Sequence, residues 1–196
     1  MILTSKPRLA GGLAGVVALI VMALSPFAGA FASSPDQQRA DIDQAARQTL
    51  ETLYAQQPSA RRAVAESAGY AVFSDMSTKI FFAGGGGGKG VAVDRVSGQK
   101  TYMMLVSVSA GLGMGISKSH LVWVFATPDA YTNFVNVGVE LGADANLQVN
   151  PGAGGGLYDG AVEVQPGVWL YQISDAGLSL ELTVQGTKYF KDPDLN

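Results

Sequence analysis

Residues 84–90 read Gly-Gly-Gly-Gly-Gly-Lys-Gly, the kind of run whose backbone amides cradle a phosphate, and Ser119-His120 sets a hydroxyl beside the chain's one histidine. A P-loop of the form G-x-x-x-x-G-K-[ST] needs a hydroxyl after its lysine to hold magnesium, and it must open a helix whose N-terminus faces the phosphates. Here Gly88-Lys89 would be the GK, which puts Ala83 at the first glycine and Gly90 at the hydroxyl. The residues that follow, Val91-Ala92-Val93, are strand-like. Gly85, Gly87 and Gly90 also satisfy G-x-G-x-x-G, again with no helix after them,. The run therefore reads as a hairpin loop carrying Lys89 outward, and no nucleotide is expected.

The histidine fares no better as a catalyst. With one histidine and no cysteine there is no histidine cluster or thiolate set for zinc, no thiol nucleophile and no disulfide,. Ser119 and His120 are strand neighbours, whose side chains point to opposite faces, so a Ser-His pair cannot be assumed. Glu140 and Asp144 share one face of an alternating stretch and read as a solvated carboxylate pair. No catalytic residue, metal or cofactor is expected, and the chain is not expected to be an enzyme.

The elements that position these residues begin after residue 32. Lys6 and Arg8 precede an uncharged apolar run from Leu9 to Leu24, followed by Pro26 and small residues. This is the pattern of a secretory signal peptide over residues 1–32, with A-x-A sites at Ala28-Gly29-Ala30 and Ala30-Phe31-Ala32. An uncleaved membrane anchor is the alternative, although the run is shorter than the roughly 20 residues of a spanning helix. Beyond it lies a single domain, 33–196, with 11 cations against 16 anions and so a formal charge of −5. An acidic domain is a poor ligand for nucleic acid, and any anion site on it must be local.

Ser34-Pro35 with Gln37 following predicts a helix start, an apolar stripe of Ile42, Ala46, Leu50 and Leu53 predicts its buried face, and Pro58 ends it,. A second short helix from about Ser59 carries Arg61 and Arg62, with Gly69 expected just past its end,. From Tyr70 the apolar period changes to 2. Val135 to Val149 alternates throughout, as does Leu178 to Val184. Met104 to Ile116 alternates with one face filled by Ser107, Ser109, Gly111, Gly113 and Gly115, which implies curvature, close packing or a ligand,. His120 to Phe125 is apolar on both faces and predicts a central strand, with a short helix from Pro128 to Asn136. Seven or eight strands and three helices make an α+β domain, its N-terminal helices packed on a strongly curved, barrel-like antiparallel sheet.

Six blocks carry a resemblance: Ala68-Gly69-Tyr70-Ala71-Val72-Phe73; Lys79-Ile80-Phe81-Phe82 running into Lys89-Gly90-Val91; the glycine repeat from Ala110 to Gly115; Val122-Trp123-Val124-Phe125; Leu141 to Ala145; and Ala176 to Leu180 through Gly186-Thr187-Lys188-Tyr189. In that order they resemble the SYLF domain, over roughly residues 40 to 191. The resemblance implies a phospholipid-binding module. Eukaryotic relatives bind phosphoinositides through a basic N-terminal helix, and yeast relatives also bind actin filaments. In this chain Arg39 and Arg47 are diluted by Asp36, Asp41, Asp43 and Glu51, and actin binding is not expected to carry over.

The expected function is an exported phospholipid or membrane-surface binding domain, periplasmic or secreted, with an anionic phospholipid as partner. A structural or protein-interaction module of the cell envelope, with an envelope protein as partner, is the alternative. An acidic domain that sits on a membrane needs a basic spot beside exposed apolar groups. Arg61, Arg62, Lys79 and Lys89 are the candidate headgroup contacts, and Phe81 and Phe82 the candidate apolar ones.

Overall fold

The computed structural model describes residues 33–80, 83–110, 115–141, 156–174, 177–179 and 186–196. The expected signal peptide, Phe81, Phe82 and most of the alternating stretches 135–149 and 178–184 lie outside the described residues.

Two helices come first, α1 (Pro35–Gln56) and α2 (Pro58–Glu66). Pro58 separates them because it offers no N–H and pushes Gln57 out of the helical region, to φ −133° and ψ 88°,. Four long strands follow: β1 (Gly69–Ile80), β2 (Ala83–Asp94), β3 (Lys100–Ala110) and β4 (Gly115–Phe125). Helix α3 (Pro128–Val137) is capped by the Thr127 hydroxyl, which accepts from the Ala130 N–H,. It is closed by Gly138 at φ 80°, whose N–H donates to the Phe134 carbonyl,. Then come β5 (Val139–Leu141), a 3-10 turn (Gly156–Tyr158), β6 (Val162–Gln165), β7 (Val168–Ser174), β8 (Gly177–Ser179) and β9 (Thr187–Lys191).

All pairings are antiparallel, in the order β5-β9-β3-β2-β1-β4-β7-β6, with β8 added beside β7. The sheet curves into a half-barrel, so the expected α+β architecture is the one observed. Both faces are covered. Ala71, Phe73, Met103, Leu121, Trp123 and Phe125 pack under α3, whose Tyr131, Phe134 and Val135 complete that core. The alternate positions of each strand, among them Val72, Val91, Val122, Val124, Tyr171 and Ile173, pack under Ile42, Ala46 and Leu53 of α1 and Ala60 and Val64 of α2,.

Four local expectations change. The glycine run is not a loop: Gly84–Gly90 lie inside β2, paired with Lys79–Phe73 of β1 on one side and Ser109–Met103 of β3 on the other. Glycine supplies main-chain donors and acceptors like any residue, and two neighbouring strands hold it extended. Gly69 does not follow α2 as a cap but begins β1, where a Cβ would run into the Tyr131 ring. The alternation from Met104 to Ile116 belongs to two strands, β3 and β4, rather than one. Finally, Val135 and Val137 finish α3, because Tyr131, Phe134 and Val135 have helical spacing after a Thr-Pro start; the strand begins at Val139,.

Candidate functional site

Two regions on the α1 face could meet a ligand. The first lies beneath α1. Strand register sets Ser74 of β1 between Lys89 of β2 and His120 of β4, so the three form a row across the sheet. The Thr49 hydroxyl, from α1, lies 3.2 Å from His120 Nδ1, and the Ser74 hydroxyl lies 3.1 Å from the same atom. A hydrolytic triad needs its hydroxyl on one ring nitrogen and a carboxylate on the other; here two hydroxyls converge on one nitrogen. The cluster ties α1 to the sheet.

Lys89 is tied down as well. Its Nζ donates to Gln38 Oε1 of α1 at 2.8 Å and to Asp192 Oδ2 at 3.0 Å. The Asp192 side chain is fully buried, whereas that of Lys89 is 39% exposed. Asp192 Oδ1 accepts from the Asp194 N–H, so both carboxylate oxygens are satisfied,. The chain segment around it clasps α1 to β3. Arg39 Nε donates to the Leu195 carbonyl, Leu195 is buried, and the Asn196 amide brackets the Tyr102 backbone. Lys100 adds an ion pair to Asp43 of α1 at 2.6 Å. Burial, then the neighbouring Asp43 carboxylate, raises the Tyr102 phenol above its ordinary value,.

Between these ties α1 stands off the sheet. A groove of about 270 Å³ is lined by Asp41, Ile42, Ala45, Ala46, Val72, Ser74 and Lys89. Two of its wall residues on α1, Ala45 and Ala46, are small, which leaves the groove wide.

The second region is the far end of the long strands. Residues 83–88 of β2 and 105–110 of β3 include no charged side chain. Gly85 and Gly87 face open space on the α1 side, since a Cβ there would meet only a carbonyl oxygen of β3 at 3.6 Å. Val106, across from Gly87, is 43% exposed. Lys79 pairs with Gly84 and Gly115 at this end, and Phe81 and Phe82 lie in the chain between Ile80 and Ala83, which pair with each other.

The candidate headgroup residues do not gather in one place. Arg61 and Arg62 are exposed on α2, which leads through Ser67 and Ala68 into Gly69. Lys79 lies ten residues further along β1, a distance of roughly 33 Å at the rise of a strand,. Arg61 stacks over the Tyr54 ring at 4.5 Å and Arg62 Nε is 3.6 Å from Glu66 Oε1. Lys89 is in the groove, bonded as above. The residues that sequence reasoning missed are Ser74, Thr49 and Asp192. Strand alternation points His120 away from Ser119, but its partners are 46 and 71 positions away, and Asp192 is 103 positions from Lys89.

Among the described residues, no helix is long and apolar enough to cross a membrane. Residues 106–196 match the family described as "Las17-binding protein actin regulator". A curated protein of Aeromonas veronii, Beta cell expansion factor A, is 31% identical over 159 residues, 81% of this chain. The chain spans 59% of that relative's length. The order of blocks and these two similarities agree on one point: residues 106–196 match the SYLF family.

Proposed function

We propose that this protein is an exported, non-enzymatic domain that binds phospholipid at a membrane surface, with the glycine end of its long strands as the contact. The observation that carries this reading is the uncharged sheet end at 83–88 and 105–110, side-chain-poor along its glycine strand, with Lys79 on the neighbouring strand and Phe81-Phe82 next in sequence after Ile80. Such a ribbon loses little hydration when it enters the headgroup layer. Two phenylalanines supply apolar area, and one lysine supplies attraction to anionic lipid. Arg61 and Arg62, at the other end of β1, would reach headgroups only in a different orientation. The two-hydroxyl arrangement at His120 supports a binding role over a hydrolytic one. The export expectation rests on residues 1–32.

Co-sedimentation with phosphatidylcholine vesicles, with and without phosphatidylglycerol, tests the reading. We expect binding to the anionic vesicles that is lost in Phe81→Ser/Phe82→Ser, weakened in Lys79→Ala and kept in Arg61→Ala/Arg62→Ala. No sedimentation with any anionic vesicle at low salt would overturn it. An uncharged open sheet surface around Gly85 and Gly87 also suits a protein partner in the envelope. Cross-linking in cells that recovers one protein at this end, without vesicle binding, would favour that alternative.

A further inference from the structure

The groove beneath α1 has the walls and the polar end of a slot for one hydrocarbon chain. We propose that it receives a single fatty acyl chain, with the chain's ester carbonyl at Lys89 and Ser74; this rests on the membrane-surface reading and adds a second step, in which a lipid chain leaves the bilayer for the protein.

The volume of 270 Å³ is about nine times the roughly 30 Å³ that a water occupies in the liquid, so about nine chain atoms fit,. Four of the seven lining residues, Ile42, Ala45, Ala46 and Val72, are aliphatic. At the polar end the Lys89 ammonium has three donors, of which Gln38 and Asp192 take two,. Its charge is already balanced by the buried Asp192 carboxylate. The acceptor that suits the third donor is therefore neutral. A carboxylate or phosphate would add a negative charge near both Asp192 and Asp41, the latter held at the rim by Gln37 Nε2 at 2.8 Å,. A carbonyl oxygen adds none. Ser74, directly across from Lys89, lines the same end with a hydroxyl.

Methyl octanoate, an ester of about this length without a headgroup, is the probe. Titrated into the full chain and followed by methyl NMR, it should shift Ile42 and Val72 saturably. Octanoate should bind at least about tenfold more weakly, the size of one hydrogen-bond or charge mismatch. Ala46→Leu fills the groove and should lose ester binding by about tenfold or more, as should Ala45→Leu if the first variant does not fold. Lys89→Met/Asp192→Asn removes the donor without stranding a buried charge and should lose about tenfold. Absence of saturable ester binding, octanoate binding as tight as the ester, or filled-groove variants that bind like the parent would each overturn the proposal. Vesicle co-sedimentation is the separate arm: if it fails while ester binding persists, the surface reading falls and the groove assignment stands.

Discussion

Strand β2 contains six consecutive residues, Gly85 to Gly90, of which five are glycine, yet its two ends use glycine for opposite reasons. At Gly90 a Cβ would collide with the Phe73 ring and the Val72 carbonyl. Glycine there makes room for a packed aromatic core in which Phe73, Trp123, Phe134 and Tyr189 meet edge-on or tilted, with centroids 5.0 to 6.2 Å apart. At Gly85 and Gly87 nothing but the neighbouring strand is near. One end is glycine because space is taken, the other although space is free. Composition alone does not separate these; the neighbours do.

Substitutions break the comparison in a definite order. The largest loss is expected from Trp123→Ala at the packed end, about 3–5 kcal/mol in denaturant unfolding, because the cavity would be walled by rings that cannot close on it,. Lys89→Met, at the boundary between the two ends, should cost about 3 kcal/mol by leaving the Asp192 carboxylate buried and unpaired,. Adding Asp192→Asn should recover most of that. If the double variant is no more stable than the single one, the buried charge is not the cause. Gly90→Ala should destabilise by about 1–3 kcal/mol through overpacking,. At the open end the sign should reverse. Gly85→Ala and Gly87→Ala should each stabilise by up to about 1 kcal/mol, since a Cβ meets ordinary contact only and the unfolded chain loses freedom,. A thermal melt showing Gly87→Ala as costly as Gly90→Ala would erase the distinction.

Much of the fold was legible because it is written in local signals. Pro35, Pro58 and the Thr127-Pro128 pair mark helix starts, and the doubly apolar stretch from His120 to Phe125 lies, as expected of a central strand, between β1 and β7. The glycine run was illegible for a physical reason. Strand reading depends on alternating side chains, and glycine has none, so only its two partner strands define its state. The site was less legible still. Lys89 stood out as a lone cation, but the buried carboxylate that fixes it and the hydroxyls around His120 come from distant segments, and no spacing rule connects them. The aromatic pair beside Lys79 was visible in sequence only, and it is there that the vesicle experiment is decisive.

The bond from Arg39 to the Leu195 carbonyl joins residues 156 positions apart. Closing so long a loop costs conformational entropy before any contact rewards it, and contacts of this span slow folding. Helix α1 can form early from its own sequence, but its seat against Tyr102 and Lys89 is complete only when the distant 192–196 clasp is in place. Its docking is therefore expected late in folding, and its release early in unfolding, so hydrogen exchange in α1 should run ahead of exchange in β1 and β4.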